Sequence, residues 1–265
     1  MAVVFETGFT GTTYPTTTPR IGAFPIAGTV VVSTEATGFA GINAANELTW
    51  SFWKPTAFPA TWELDFTSQA VSYAAIASHN LATVGGTVTV QEWTGAAWVA
   101  IAGASATPTD NGPLFFLFAS RTTDRLRVRF TNAIPTIGVI WFGRVTELPQ
   151  KAVYADSVPF NEALQSSYTD TLSDGGHVLG RFVSRRAQPC AMTVNNLSEA
   201  WAAANVPALQ AHMESLPIFL ADRPADYPKS VVFGSVAEPL RLQRTLAVYA
   251  AARSLSLSVM GHNPQ

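Results

Sequence analysis

Few side chains in this 265-residue chain stand where they could do covalent chemistry together. The four histidines, His79, His177, His212 and His262, fall in a predicted turn, a loop, a helix and the C-terminal tail. No two have the spacing that sets imidazoles on one helix or strand face. None adjoins a cysteine or an HExxH pattern, so no metal site is expected. His79 reads as a polar residue that satisfies the backbone of a turn. Cys190 is the single cysteine, which excludes a disulfide framework and a multi-cysteine zinc site within one chain. Its Cys-Ala-Met context predicts a buried, inert thiol. Neither a Gly-x-Ser-x-Gly elbow nor a Gly-x-x-x-x-Gly-Lys-Ser/Thr phosphate loop occurs. No catalytic residue is assigned, and the expectation is that the chain is not an enzyme.

Two carboxylates do share a surface. Glu63 and Asp65 alternate with Trp62, Leu64 and Phe66, so they lie on the wet face of one strand, ~7 Å apart by the two-residue rise. Retaining glycosidases hold their pair ~5–5.5 Å apart about a sugar. Solvated strand faces approach that spacing by accident, and hydrolysis ranks last among the readings. Residues 170–175, Asp-Thr-Leu-Ser-Asp-Gly, have a faint calcium-loop look but lack the alternating acids and the closing Glu. A surface turn is expected there and no cofactor is assigned, with a structural calcium left open. Arg121, Arg125, Arg127 and Arg129 form a basic face that either steers an acidic neighbour or is simply solvated. A sugar platform needs exposed rings with a few polar partners. Trp50, Trp53, Tyr73, Trp93 and Trp98 are the candidate glycan-binding residues, against the ordinary reading that tryptophans of a sandwich pack its core or rim.

Composition narrows the class. Hydrophobic residues make up 48% and charged residues only 13%, against the usual quarter or so. Either partners cover much of the surface, or a large β-core raises the apolar share. The net charge of −2 provides no broad positive field, so no nucleic-acid partner is expected. The N-terminus lacks the basic and apolar regions of a secretory leader. No apolar run reaches the ~18 residues of a membrane span. The chain is expected to be made in a cytoplasm and to stay there or leave inside an assembled particle.

The clearest stretch is residues 71–98. Two β-patterned runs, 71–81 and 87–93, flank Gly85-Gly86 and are predicted to form a hairpin; Trp93 and Trp98 bracket a second turn at Thr94-Gly95. Further strands are predicted at 28–33, 62–66, 98–101, 114–119, 125–130 and 137–142, with a loop at 104–113. Segment 114–119, Leu-Phe-Phe-Leu-Phe-Ala, is apolar on both faces and reads as a central strand. Many short strands with few helical periods argue for an all-β sandwich. Residues 149–177 read as a linker and loop. Strands follow at 178–184 and 190–194. A helix over 198–215 has Ser198 as N-cap, and Pro207 makes it either two short helices or one kinked helix. Leu209, Met213 and Leu216 form its apolar stripe. Strands at 230–233, 240–249 and 255–261 close the chain. The expected organisation is mainly β, with an N-terminal arm over 1–24, a sandwich over 25–148, the linker, and a β-plus-helix assembly unit over 178–265.

In this order the segments resemble the discoidin, or galactose-binding-like, jelly roll: WELDF at 62–66, YAAIASHNL at 73–81, GTVTVQEW at 86–93, AAWVAI at 96–101, RLRVRFT at 125–131 and IGVIWFGRV at 137–145. The resemblance covers residues 25–148, and the His79-Asn80-Leu81 turn is of a kind common in bacteriophage virion proteins that carry this module. Residues 175–262 resemble the core of bacteriophage distal-tail and baseplate proteins, through PIFLADRPADYPKSVVFGS at 217–235 and SLSLSVMG at 254–261. Asp222-Arg223 stands where that pattern has a tryptophan. Together the resemblances imply a virion structural protein of the tail tip or baseplate, present in the virion as a homo-oligomeric ring with other tail proteins. The alternative is a carbohydrate-binding module that contacts host-surface glycans.

Overall fold

The computed structural model describes residues 2–153, 165–244 and 252–262. In chain order its strands are β1 (Ala2–Phe5), β2 (Arg20–Gly22), β3 (Thr29–Val32), β4 (Ala60–His79), β5 (Thr87–Trp93), β6 (Trp98–Ala106), β7 (Leu114–Thr131) and β8 (Ile137–Gly143). They continue with β9 (Val145–Glu147), β10 (Ala152–Val153), β11 (Gln165–Leu172), β12 (Val178–Ser198), β13 (Ile218–Ala221), β14 (Val231–Val236), β15 (Arg241–Arg244) and β16 (Ala252–His262). Two α-helices, α1 (Leu81–Val84) and α2 (Glu199–Met213), interrupt them.

The first sheet has the order β3-β4-β7-β5-β6, with β1 also on β7 and β8 also on β4. Strand β4 is 20 residues long and β7 is 18, so the predicted strands 62–66 and 71–81 are one, as are 114–119 and 125–130. Strand β4 changes neighbours part-way. Its first part pairs with β3 and its last part with β8. Between these parts the β4–β7 register slips, from Asp65 to Gln69 and again from Val71 to Tyr73. Such irregularities bend a strand and raise its twist, and here they carry one continuous sheet round into two facing layers. Trp62, Leu64 and Phe66 from one half of β4 therefore meet Ala74 and Ile76 from the other in a single core with Val128, Phe130 and Phe142. The mainly β sandwich is as expected.

The hairpin expected about Gly85-Gly86 does not form, because β7 lies between β4 and β5. Residues 81–84 make one helical turn instead. Gly85 ends it at φ +71°, its N–H bonding Ala82 O and that of Gly86 bonding Leu81 O. That is a left-handed helix stop, so the two glycines end a crossover. The second turn does form, with Trp93 opposite Trp98 across β5 and β6.

The second sheet has the order β10-β12-β16-β14-β13-β2-β9, with β11 also on β12 and β15 also on β16. Strands β2 and β9 flank the sandwich in sequence, yet β2 pairs with both β13 and β9. Residues 2–5, expected in an arm, form β1 and pair in parallel with β7. Residues 165–172, expected within the linker, are a strand. Helix α2 is one helix through Pro207, its N-cap Ser198 accepting the Trp201 N–H at 3.2 Å. Leu209 and Met213 pack with Val194, Leu255 and Leu257; Leu216 lies beyond the helix end. Of the strand predicted over 240–249, residues 241–244 form β15 and the rest lies outside the described residues, as do 154–164 of the linker.

A third apolar layer joins the sheets. Tyr73, Phe115, Leu117, Val139 and Trp141 point away from the sandwich core and pack on Phe219, Val231 and Phe233 of the second sheet. Trp141 lies 5.6 Å from Phe219 and 5.4 Å from Phe233, edge to face in both cases. This is why residues 114–119 are apolar on both sides. Trp141→Ala is expected to cost ~3–5 kcal/mol in urea unfolding, with both units melting in one transition. Trp141→Phe is expected to cost much less, because the buried indole N–H has no acceptor to lose. A separate, unshifted transition for either unit would show that the layer does not couple them.

Candidate functional site

The five candidate rings separate by environment. Trp53 is fully buried in the sandwich core, its indole N–H donated to Thr34 O at 3.1 Å. Tyr73 is fully buried in the joining layer, with its hydroxyl on Ala23 O at 2.9 Å. Neither presents a face to a ligand, and both are withdrawn as sugar-stacking residues: core tryptophans and tyrosines bury the ring and satisfy the polar tip. Trp50 is 73% exposed. Trp93 and Trp98 sit half-buried across the β5–β6 hairpin, centroids 5.4 Å apart. Guanidinium groups cover them: Arg127 stands 4.4 Å from the Trp98 ring centre and Arg125 5.7 Å from that of Trp93. This pair behaves first as a cross-strand latch.

The basic face is not a free field. Arg125 pairs with Asp65 at 3.5 Å, Arg127 donates to Gln91 Oε1 at 2.8 Å, and Arg121 pairs with Glu6 at 2.6 Å and Glu92 at 2.9 Å. Glu63 and Asp65 share a strand face as expected, opposite Arg127 and Arg125 in register. Burial foremost, then the neighbouring Asp65, lifts the Glu63 carboxyl above its usual range, while the two arginines oppose the shift.

The remaining reactive groups are satisfied structurally. His79 is buried, with Nε2 2.9 Å from Gly112 O, and Nδ1 accepts the Leu81 N–H at 3.3 Å. Burial depresses its pKa to about 4, so the ring is neutral near pH 7. The Cys190 thiol is buried and pushed up to about 12. Asp170 lies in strand β11 with its carboxylate held by Arg181, Nε to Oδ1 at 2.7 Å and Nη2 to Oδ2 at 3.1 Å, so the faint calcium loop has lost its first acid to an ion pair. Among the described residues no cluster of three metal-binding side chains occurs.

The structure builds a different site at the junction of the two units. Arg20 is fully buried on β2. Its Nη2 donates to Tyr14 O at 2.6 Å and Pro15 O at 2.9 Å, and its Nη1 to Thr18 Oγ1 at 2.7 Å. Glu147, opposite Arg20 in the β2–β9 ladder, accepts the N–H groups of Thr12, Thr13 and Tyr14 at 3.0, 2.7 and 2.9 Å. Burial alone would raise the Glu147 pKa; the three N–H donors and the Arg20 charge outweigh it and hold the carboxyl below its usual range. The clamp fixes residues 11–15 as one wall of a cleft of about 440 Å³. Helix α2 contributes Trp201 and Asn205 to the lining, β4 contributes Ser72, and the β8–β9 link contributes Arg144. The volume lies within the ~300–1,000 Å³ range of small-molecule sites.

No protein-family model and no curated protein matches the chain. Among solved structures it is similar to a pectin-binding carbohydrate-binding module, at 16% identity and a TM-score of 0.38, over 45% of this chain and 91% of that one. It is also similar to chitosan-binding module 1 of a chitosanase/glucanase from Paenibacillus sp. IK-5, at 16% identity and 0.38, over 46% of this chain and 97% of that one. A third is the CBM32 of AlyQ in complex with 4,5-unsaturated mannuronic acid, at 12% identity and 0.38, over 45% and 97%.

Sequence reasoning passed over Arg20, Glu147, Arg144 and Trp201. The one available signal was Arg20, the single charged residue between Glu6 and Glu35 in a Thr- and Pro-rich stretch. The depressed carboxyl of Glu147 has a pH consequence. A carboxylate with a lowered folded pKa adds stability that is fully present above its unfolded value, ~4.3, and is lost as pH falls through the folded value. Glu147→Ala leaves Arg20 buried without its partner and three N–H groups unbonded, an expected loss of ~3–5 kcal/mol at pH 7. The variant should also lose part of the acid sensitivity of the wild type. Urea midpoints measured from pH 3 to 6 check this, and parallel curves for the two proteins would refute the clamp.

Proposed function

We propose that this chain is a structural subunit of a larger particle, which it joins through the ribbon formed by β11 and the start of β12. One observation carries the reading: that ribbon stands out from the second sheet with both its faces in solvent. Tyr168, Leu172, Val178, Leu179 and Phe182 are 56–69% exposed. By register Tyr168, Leu172 and Val178 lie on one face about the Asp170–Arg181 pair, and Phe182 lies on the other. An unsupported two-stranded hairpin is marginal in water, and covering each such side chain contributes ~1.5–3 kcal/mol. A partner surface answers both facts. The sequence resemblance supplies the kind of particle, a bacteriophage tail tip or baseplate with copies of this chain and other tail proteins. That resemblance is the support for placing the chain in a virion.

A second reading, contact with saccharide, is favoured by the junction cleft, where hydroxyl groups and the rings of Tyr14 and Trp201 line one concavity. Sugar hydroxyls and C–H faces need that combination. Trp201→Ala should erase any hit on a glycan array probed with the full chain.

The assembly reading predicts that the wild-type chain self-associates at micromolar concentration in light scattering. The double variant Leu179→Lys, Phe182→Glu should keep its far-UV spectrum and associate ~100-fold or more weakly, the equivalent of two lost apolar anchors. A wild-type chain that stays monomeric to about 100 μM, or a variant that associates as tightly, overturns it.

A further inference from the structure

The lining of the junction cleft also specifies the charge of its ligand, an inference that rests on the saccharide reading of that cleft. Glu147 is the carboxylate in the lining, and it is spent: its two oxygens accept three backbone N–H groups and it faces Arg20 across 3.7 Å. Those two charges cancel. Arg144 lines the same cleft, is exposed, and has no carboxylate partner among the described residues. The cleft therefore carries one uncompensated positive charge. On the sandwich face Arg121, Arg125 and Arg127 are paired or hydrogen-bonded, while Arg129 is exposed and does not line this cleft.

The uncharged groups are those of a sugar site. Trp201 and Tyr14 offer rings, and Thr12, Thr13, Ser72 and Ser120 offer hydroxyls. The Ser72 Oγ accepts the Val145 N–H at 3.0 Å, which leaves its own O–H to donate. A separate observation marks the rim. Phe24 lines the cleft with φ +54° and is 40% exposed. A bulky side chain in the left-handed region costs ~1–3 kcal/mol, and such residues gather at binding sites. The ring also packs on His212, centroids 5.0 Å apart, which holds it at the rim.

The geometry points to a saccharide bearing a carboxylate, a uronate, as the ligand of this cleft. Its ring lies against the aromatic lining, its hydroxyls meet the Thr and Ser groups, and its carboxylate takes the Arg144 guanidinium in a charge-assisted pair. A single unmatched cation suits a monoanion; a sulfate cluster or a phosphate dianion would bring charge the cleft does not balance.

Calorimetric titration of the full chain tests this, with the monoanionic methyl glycosides of galacturonate, glucuronate and mannuronate, each compared with its methyl ester. Esterification removes the charge and keeps the ring. At least one acid is expected to bind ~10-fold or more tightly than its ester, and added salt should weaken the acid alone. Arg144→Ala should abolish that preference, Arg144→Lys should restore part of it, and Trp201→Ala should weaken acid and ester together. The double variant Trp93→Ala, Trp98→Ala should bind as the wild type does. Equal affinity for acid and ester, or a preference that survives Arg144→Ala, overturns the inference and leaves the saccharide reading standing. If no acid and no ester binds in the millimolar range, the saccharide reading fails and the inference with it. Binding lost in the Trp93, Trp98 double variant would move the site to the sandwich face and overturn the inference as well.

Discussion

The apolar layer between the two sheets is the constraint on which the rest of the structure depends. Trp141, Phe115, Phe219 and Phe233 each bury nearly all of their surface in it. At ~1.5–3 kcal/mol for each large side chain removed from water, a few such residues match the whole net stability of a typical domain, ~5–15 kcal/mol. Neither unit can leave that face wet. The layer also explains why β2 and β9, the ends of the sandwich segment, hydrogen-bond into the second sheet. Chain continuity at 20–22 and 145–147 is used to stitch the two bodies together, and the Arg20–Glu147 pair sits on that seam.

With so few charges, the molecule spends them in specific places. Arg121 bridges Glu6 and Glu92, tying β1 and β5 to β7. Arg253 holds Glu199 at the start of α2 to β16. Surface pairs of this kind contribute little stability individually, ~0–1 kcal/mol, and the net charge is only −2. An exterior without strong fields is compatible with neighbours docking by shape and apolar contact. It also makes two features stand out: an apolar ribbon that no described residue covers, and Arg144 in a cleft whose other charges cancel.

How much of this could be read from sequence follows from the range of each signal. Alternation is local, so Trp62, Leu64 and Phe66 were legible as one buried face and Glu63 and Asp65 as the opposite one. Strand order is not local. Nothing in residues 71–98 says that β7 will insert between β4 and β5, and Gly85 serves a helix stop as readily as a hairpin. Residue type alone did not separate Trp53 and Tyr73 from Trp93 and Trp98, because all four lie in β-patterned or aromatic stretches and only the sheet's curvature decides which ring is enclosed. The junction cleft was invisible for the same reason: residues 12–14, 144–147 and 201–205 meet only in three dimensions. The ribbon is half legible. Residues 178–184 read as a strand and Ser173-Asp174-Gly175-Gly176 as a turn, whereas 165–172 falls in the expected linker because Ser, Thr and Asp outnumber its apolar residues.

The ribbon's construction bears on the docking proposed for it. Its strand β12 continues into the second sheet, where residues 187–198 pair with β16 over the core that α2 covers. The register of the exposed part is therefore set by a buried part of the same strand, and the apolar side chains are presented in one arrangement. Preorganisation of that kind lowers the entropy cost of docking. The ladder to β11 slips between Ser167 and Tyr168 and between Thr171 and Leu172, which leaves Ser184 and Leu179 as extra residues on β12. Bulges at an edge obstruct the addition of a further strand, so strand addition is disfavoured along β12. On the proposed assembly reading, what remains for recognition is Tyr168, Leu172 and Val178 on one face and Phe182 beside Thr169 and Thr171 on the other, so a complementary surface would be a groove that grips the ribbon from both sides.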